Sequence, residues 1–236
     1  RLAIAHEEAP GGQSVGTAQE GLVRGHALSL VERAAYAPRA ADLNALVQRL
    51  RAREVEVLLH TGGPGDELLL FRAMRDANWQ PRMVIGTAGG YGLGETARSI
   101  GEAMLGTMSA DLPPFAVNES HAPGARAFAD AYLRRYGAEP RSGHSLAAHV
   151  GTRLFLDALQ RGGGVEKERI RAGLIELDMP EGSTAAGWGA RFDERGQNLR
   201  ARPVLCQWQA IPQGMRQVAI HPAQAAVANA VPRLGG

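Results

Sequence analysis

Cysteine and lysine are almost absent from this sequence. The single cysteine, Cys206, excludes an internal disulfide and any cysteine-rich zinc site. It lies in the apolar stretch 204–208, where a lone cysteine reads as a small buried hydrophobe rather than a nucleophile. Lys167 is the only lysine, so the positive charge is nearly all arginine. That skew fits a G/C codon bias better than a selected basic patch. Aromatic residues make up only 5%, and no arginine run is interleaved with them, which argues against a nucleic-acid partner. No apolar run approaches the roughly 20 residues that a membrane-spanning helix needs. No secretory leader is visible, but the chain starts on Arg1 and enters an apolar strand at once. Residue 1 therefore reads as a cut end, and the missing leader says nothing about compartment.

What is present is an ordinary globular composition. The chain has 236 residues, 44% hydrophobic and 21% charged, with a net charge of +2. That length suits one large or two small domains. The organising stretch is 55–86, VEVLLHTGGPGDELLLFRAMRDANWQPRMVIG. An apolar run ends in a Gly/Pro turn, an amphipathic segment follows, and a second apolar run closes the unit. Strand, loop, helix and strand in about thirty residues make a βαβ unit with a right-handed crossover. Its first loop falls at the carboxyl edge of the sheet, where open α/β sheets bind ligands.

The same alternation runs through residues 1–109. Strands are expected at 2–5, 27–31, 55–59, 83–85 and 105–108, and helices at 14–25, 43–53, 67–78 and 95–103. Apolar strands with little alternation predict a parallel sheet covered on both faces. The character changes at 111–123 (DLPPFAVNESHAP), where adjacent prolines mark a crossover or hinge. Helices at 124–136, 145–160 and 167–176 follow, with no strands of their own. They must cover a sheet supplied by another part of the protein. A last strand is expected at 203–209, and 221–236 reads as an extended, loosely attached tail.

Several pieces, in order, resemble one family. They are the opening strand and loop 1–12, Tyr36 followed by Asp42 at a helix head, and the strand, loop and helix of 55–79. The loop 85–90, the helix ending FADAYLRRYGAEP (128–140), the helix 145–162, the turn 189–196 and the two-proline tail complete the set. Together they resemble the periplasmic substrate-binding proteins of branched-chain amino-acid ABC transporters, the leucine/isoleucine/valine type. The resemblance implies an α/β fold of the type I periplasmic-binding-protein class, two Rossmann-like lobes with parallel sheets. One lobe is incomplete in this chain, its N-terminal part missing. Residues 1–112 with 203–220 would form the C-terminal lobe, 113–202 the helical part of the N-terminal lobe, and 221–236 the tail.

The resemblance further implies an extracytoplasmic solute-binding protein, periplasmic or lipid-anchored. It would capture a small molecule between two lobes, deliver it to the permease subunits of an ABC importer, and have no catalytic residues, metal or cofactor. Three loops should face the ligand, through Pro10 and Gly11, through Gly63, Pro64 and Gly65, and through Ala88, Gly89 and Tyr91. The other reading of each loop is that its glycines serve only a tight βα turn. The amino-acid binders carry a tyrosine where Gly11 stands, an aromatic where Pro64 or Gly65 stands, and an ammonium-binding carboxylate where Ala88 stands. Without that acid an α-amino group loses a charge-assisted partner, about 1.5–3 kcal/mol. Glu7 and Glu8 are the nearby substitutes, though surface glutamates are usually solvated. The expected ligand is therefore other than a standard aliphatic amino acid: an amide, a carboxylic acid or an aromatic acid.

Two alternatives stand beside this reading. One keeps the fold in a sensory or regulatory role, and the other is a nucleotide-dependent α/β enzyme. The second finds little support. Residues 62–66 lack the Lys-Ser/Thr of a phosphate loop, and the G-x-G-x-x-A match at 92–97 starts several residues after its strand. No G-x-S-x-G elbow is present, and His121, His144 and His149 lack metal-site spacing.

Overall fold

The structure, a computed structural model, describes residues 1–87 and 89–233. The chain divides into two compact units. The first comprises Arg1–Asp111, Leu205–Gln217 and Ala230–Gly236, and the second Leu112–Val204 and Val218–Asn229.

In the first unit the expected alternation is present. Strands β1 (Leu2–Glu7), β2 (Leu30–Tyr36), β3 (Val57–Thr61), β4 (Met83–Thr87) and β5 (Met108–Asp111) alternate with helices α1 (Pro10–Gly25), α2 (Asn44–Ala52), α3 (Asp66–Asp76) and α4 (Gly94–Ile100). With β6 (Val204–Ile211) and β7 (Gly214–His221) they form a seven-stranded sheet of order β2-β1-β3-β4-β5-β6-β7. Neighbours among β1–β5 pair parallel. A two-residue connection cannot bring a chain back parallel, so β6 and β7 add an antiparallel edge. The core fills between the sheet and α2–α4, where Val47, Leu50, Leu58, Leu70 and Val84 are fully buried. After β1 the chain steps outward to β2, then returns past β1 to β3 and β4. The order reverses between β1 and β3, and that switch point is where the loops into α1 and α3 diverge.

Most boundaries shift from the sequence reading, and three of the shifts have a clear physical reason. Strand β2 covers 30–36 rather than 27–31, because Arg33–Tyr36 pair in register with Ile4–Glu7 despite their polarity. As the sheet's outer strand, β2 can hold Arg33 in solvent and pair Glu32 with Arg49 at 3.4 Å and Arg53 at 3.5 Å. Helix α1 begins at Pro10 rather than 14, since proline at the first helical position has no N–H to leave unpaired. Strand β5 starts at Met108, because Leu105 and Gly106 are taken up by a turn with Gly106 at φ +78°.

The second unit is helical, with α5 (Ala125–Tyr136), α6 (Gly143–Gly162) and α7 (Lys167–Ile175). The Ser142 hydroxyl accepts from the His144 N–H to cap α6, and Gly163 ends it in the left-handed region. Leu146, Val150, Leu154 and Ala158, four residues apart, make the buried stripe of α6. Between residues 112 and 203 the described residues pair only in isolated bridges. Leu133, Tyr136, Phe155 and Leu156 stay exposed on α5 and α6.

The segment at Val231 is held more firmly than its composition suggests. Fully buried Gln207 grips Val231 as a second strand would, accepting from its N–H at 2.8 Å and donating to its carbonyl at 2.8 Å. The same side-chain amide also donates to Gly106 O at 3.0 Å. Replacing Gln207→Ala strands these groups, and we expect a loss of about 2–4 kcal/mol in urea unfolding of the full-length protein.

Candidate functional site

The parallel register sets His6, Thr61 and Thr87 in one row at the carboxyl edge of β1, β3 and β4. Three loops leave from that row. Into α1, Pro10 stands at the first helical position and Gly11 faces open space. No side chain caps this helix and its first turn holds no acid, so its leading amides are free for an anion. Into α3, exposed Pro64 precedes Gly65, which caps the helix at φ +96°. The Gly63 N–H donates to Asp66 Oδ2 at 2.8 Å, and the Gly65 N–H to Glu67 Oε1 at 3.3 Å. Leading to α4, Gly89 turns at φ +62°. Ala88, where the resembled family carries its carboxylate, lies outside the described residues.

Tyr91, proposed from sequence as a ligand contact, is buried beneath the loops. It is 1% exposed, and its hydroxyl lies 2.6 Å from His60 Nδ1, so its ring forms the floor of the loops. Fully buried His60 is the centre of a polar chain that sequence reasoning passed over. Tyr36 Oη lies 3.0 Å from His60 Nε2 and donates to Asp66 Oδ2 at 2.9 Å. A phenol has one proton. If Tyr36 gives it to Asp66, then His60 Nε2–H must donate to Tyr36, and Nδ1 must accept from Tyr91. Every donor then meets one acceptor along Tyr91, His60, Tyr36 and Asp66. Burial holds His60 neutral, lowering its pKa from 6.5 to about 3. Burial also raises both phenols, Tyr36 further by its bond to Asp66 and Tyr91 by the nearby charges of Glu67 and Asp66.

Small neighbours make this chain possible. His60 pairs laterally with Ala5 and Gly86. At Gly86 a Cβ would stand 2.2 Å from the Tyr91 ring, so only glycine lets that ring lie across β4. At Gly62 a Cβ would approach Tyr36 Oη to 2.6 Å. The one sequence signal was a histidine closing the apolar run VEVLLH, a titratable group where a buried strand should hold none.

The charge around the loops is negative. The Glu7 carboxylate lies 3.3 Å from where a Gly63 Cβ would stand, and Glu67 is buried between the α3 and α4 loops. Thr61 Oγ1 and Glu67 Oε2 are buried with no hydrogen-bond partner among the described residues. No group of three metal-ligating side chains occurs among those residues.

The polar chain gives a pH signature. As pH falls from 6.5 toward 3, unfolded protein gains a proton that native His60 refuses. Stability is thus full above pH 6.5 and falls below it, by up to about 1.4 kcal/mol per pH unit from this group. At neutral pH, His60→Gln should cost about 2–4 kcal/mol by disrupting the bonds to Tyr36 and Tyr91. In urea titrations the advantage of wild type over the variant should shrink steadily from pH 7 to pH 4.

The sequence signature of the periplasmic binding protein family matches residues 1–208. The Leu/Ile/Val-binding protein homolog 8 of Brucella abortus is 35% identical over 230 residues, 97% of this chain and 56% of that protein. Homolog 7 of Brucella suis is 32% identical over 230 residues, 97% of this chain and 57% of its own. The chain thus spans just over half the length of these relatives. Among solved structures, a type 1 periplasmic binding protein from Bordetella pertussis superposes with TM-score 0.79 at 19% identity, over 93% of this chain and 61% of that one. A leucine-binding protein from Thermotoga maritima gives TM-score 0.72 at 18% identity, over 93% and 59%. These likenesses show the type I periplasmic-binding-protein fold, and the chain belongs to the periplasmic binding protein family.

Proposed function

We propose that the chain is part of an extracytoplasmic solute-binding protein that captures a small molecule and delivers it to the permease subunits of an ABC importer. The observation that carries this reading is the row of three loops at the switch point, built on a rigid parallel register. Backbone groups there are offered by glycine turns and an uncapped helix end, a surface suited to gripping a ligand. Nothing in the loops supplies a nucleophile with a base. Of the two buried histidines here, His60 is neutral and already bonded on both nitrogens, and His6, in the row itself, sets Nδ1 3.0 Å from the Glu7 carbonyl. A binding role accounts for these features better than catalysis.

The ligand we assign is a carboxylic acid, an aromatic acid or an amide. The leading amides of α1 favour an acceptor group. An acid must bind there against the Glu7 and Glu67 carboxylates beside the α3 loop, while an amide meets no such repulsion. Pro10, Gly11, Gly63, Pro64, Gly65 and Gly89 are the proposed contacts, with Ala88 beside them in the sequence. In the intact protein a second wall would meet the ligand, and greater affinity for the closed state would drive closure. No described helix is long and apolar enough to cross a membrane. The relatives are named as Leu/Ile/Val-binding homologues, so leucine is the decisive control.

A thermal-shift screen of the full-length protein should find stabilisation by acids or amides of this class. Calorimetry should find no micromolar leucine binding, and such binding would defeat the ligand assignment while leaving the binding role intact. Stabilisation by a nucleotide alone would overturn the role itself. A Gly11→Asp variant, placing a carboxylate at the head of α1, should weaken an anionic ligand about tenfold, read by the same calorimetry.

A further inference from the structure

A second cavity lies at the other edge of the first unit's sheet. It is a groove of about 360 Å³ between the carboxyl-terminal half of α3, the turn into β4 and the end of α4. Its charged lining is all of one sign: Arg72, Arg75 and Arg233, with no aspartate or glutamate. Arg75 is engaged with Asp76 at 3.4 Å. Arg72 is exposed and makes no ion pair among the described residues. The floor is apolar, formed by Phe71, Met74 and Ile100.

Arg233 is the unusual member. It is 4% exposed, its guanidinium stands over the Phe71 ring at 5.5 Å, and no carboxylate pairs with it among the described residues. It donates to Pro81 O at 3.2 Å and Ala103 O at 3.0 Å, while its Nε has no partner. Two neutral carbonyls and the Phe71 face satisfy part of a five-donor group and leave its charge without a carboxylate among the described residues. Burial accordingly lowers its pKa.

We propose that this groove binds a small organic anion with an apolar body, its carboxylate met by Arg72 and Arg233 and its body by Phe71, Met74 and Ile100. The volume falls at the lower end of small-molecule pockets, roughly 300–1,000 Å³. A guanidinium fork matches a carboxylate, and the apolar floor gains from any body that covers it. The site is separate from the loop row, since α3 presents its amino end there and its carboxyl end here.

Half-buried Trp79 lines the groove and reports on it. In the full-length protein, hexanoate should change tryptophan emission saturably. Hexylamine, with the same body and opposite charge, should not, and acetate, lacking the body, should bind at least about tenfold more weakly. Trp79→Phe should abolish the signal. Arg72→Ala, an exposed change, should weaken hexanoate about tenfold with unchanged melting temperature. Arg233→Gln should weaken it too, and if that variant fails to fold, Arg72→Ala decides. A hexanoate response that does not saturate, that hexylamine or acetate matches, that persists in Trp79→Phe, or that Arg72→Ala leaves unaltered would overturn the assignment.

Discussion

The first unit depends on a buried chain of hydrogen bonds that admits one direction. Tyr91 donates to His60, His60 to Tyr36, and Tyr36 to Asp66, so a single carboxylate orients three side chains. Each link joins a different element: the loop after β4, strand β3, the end of β2, and the head of α3. A neutral, fully buried imidazole is costly to leave unbonded and cheap to keep once both nitrogens are satisfied. The chain therefore works as a tie between strands whose loops must keep their places. Apolar packing alone would not do this, because it fixes distance without fixing orientation.

That constraint explains the small residues around it. Ala5 and Gly86 flank His60 because aromatic rings need the space above the strands, and Gly62 clears the approach of Tyr36 to Asp66. Gly62 in the second loop and Gly86 in β4 thus answer first to the buried chain. The exposed part of the same loops, Gly11 and Pro64 above all, is left free for contact with a ligand. Rigid support beneath and accessible backbone above are what a selective, non-covalent site requires.

The repeating pattern was legible in sequence because apolar runs such as VEVLL and the periodic helix 43–53 carry their own signal. The place of the loop after β3, at the carboxyl edge of the sheet, followed from that pattern, whereas the strand order did not. The shift of β2 was not legible, since Glu32 and Arg33 become strand only through pairing with β1, a long-range effect. The burial of Tyr91 was not legible for a related reason. An aromatic in a glycine loop looks exposed until the partner that buries it is known, and His60 lies 31 residues away. Arg233 escaped notice in a tail of low complexity, where burial by Gly106 and Phe71 leaves no local trace.

Helix α3 shows how one element can serve two opposite ends. Its first turn carries Asp66 and Glu67, and its later turns carry Arg72 and Arg75. That distribution suits the helix dipole, acids at the amino end and bases toward the carboxyl end. It also gives the loop row and the far groove opposite electrostatic character. The carbonyls that accept from Arg233 belong to the turn after α3 and to the 3-10 segment Gly101–Met104 after α4. The groove's basic lining is thus the counterpart of the acidic one at the loops. The match on α3 is broken only by its last residue, Asp76, and Arg233 and Glu7 add to it from outside the helices.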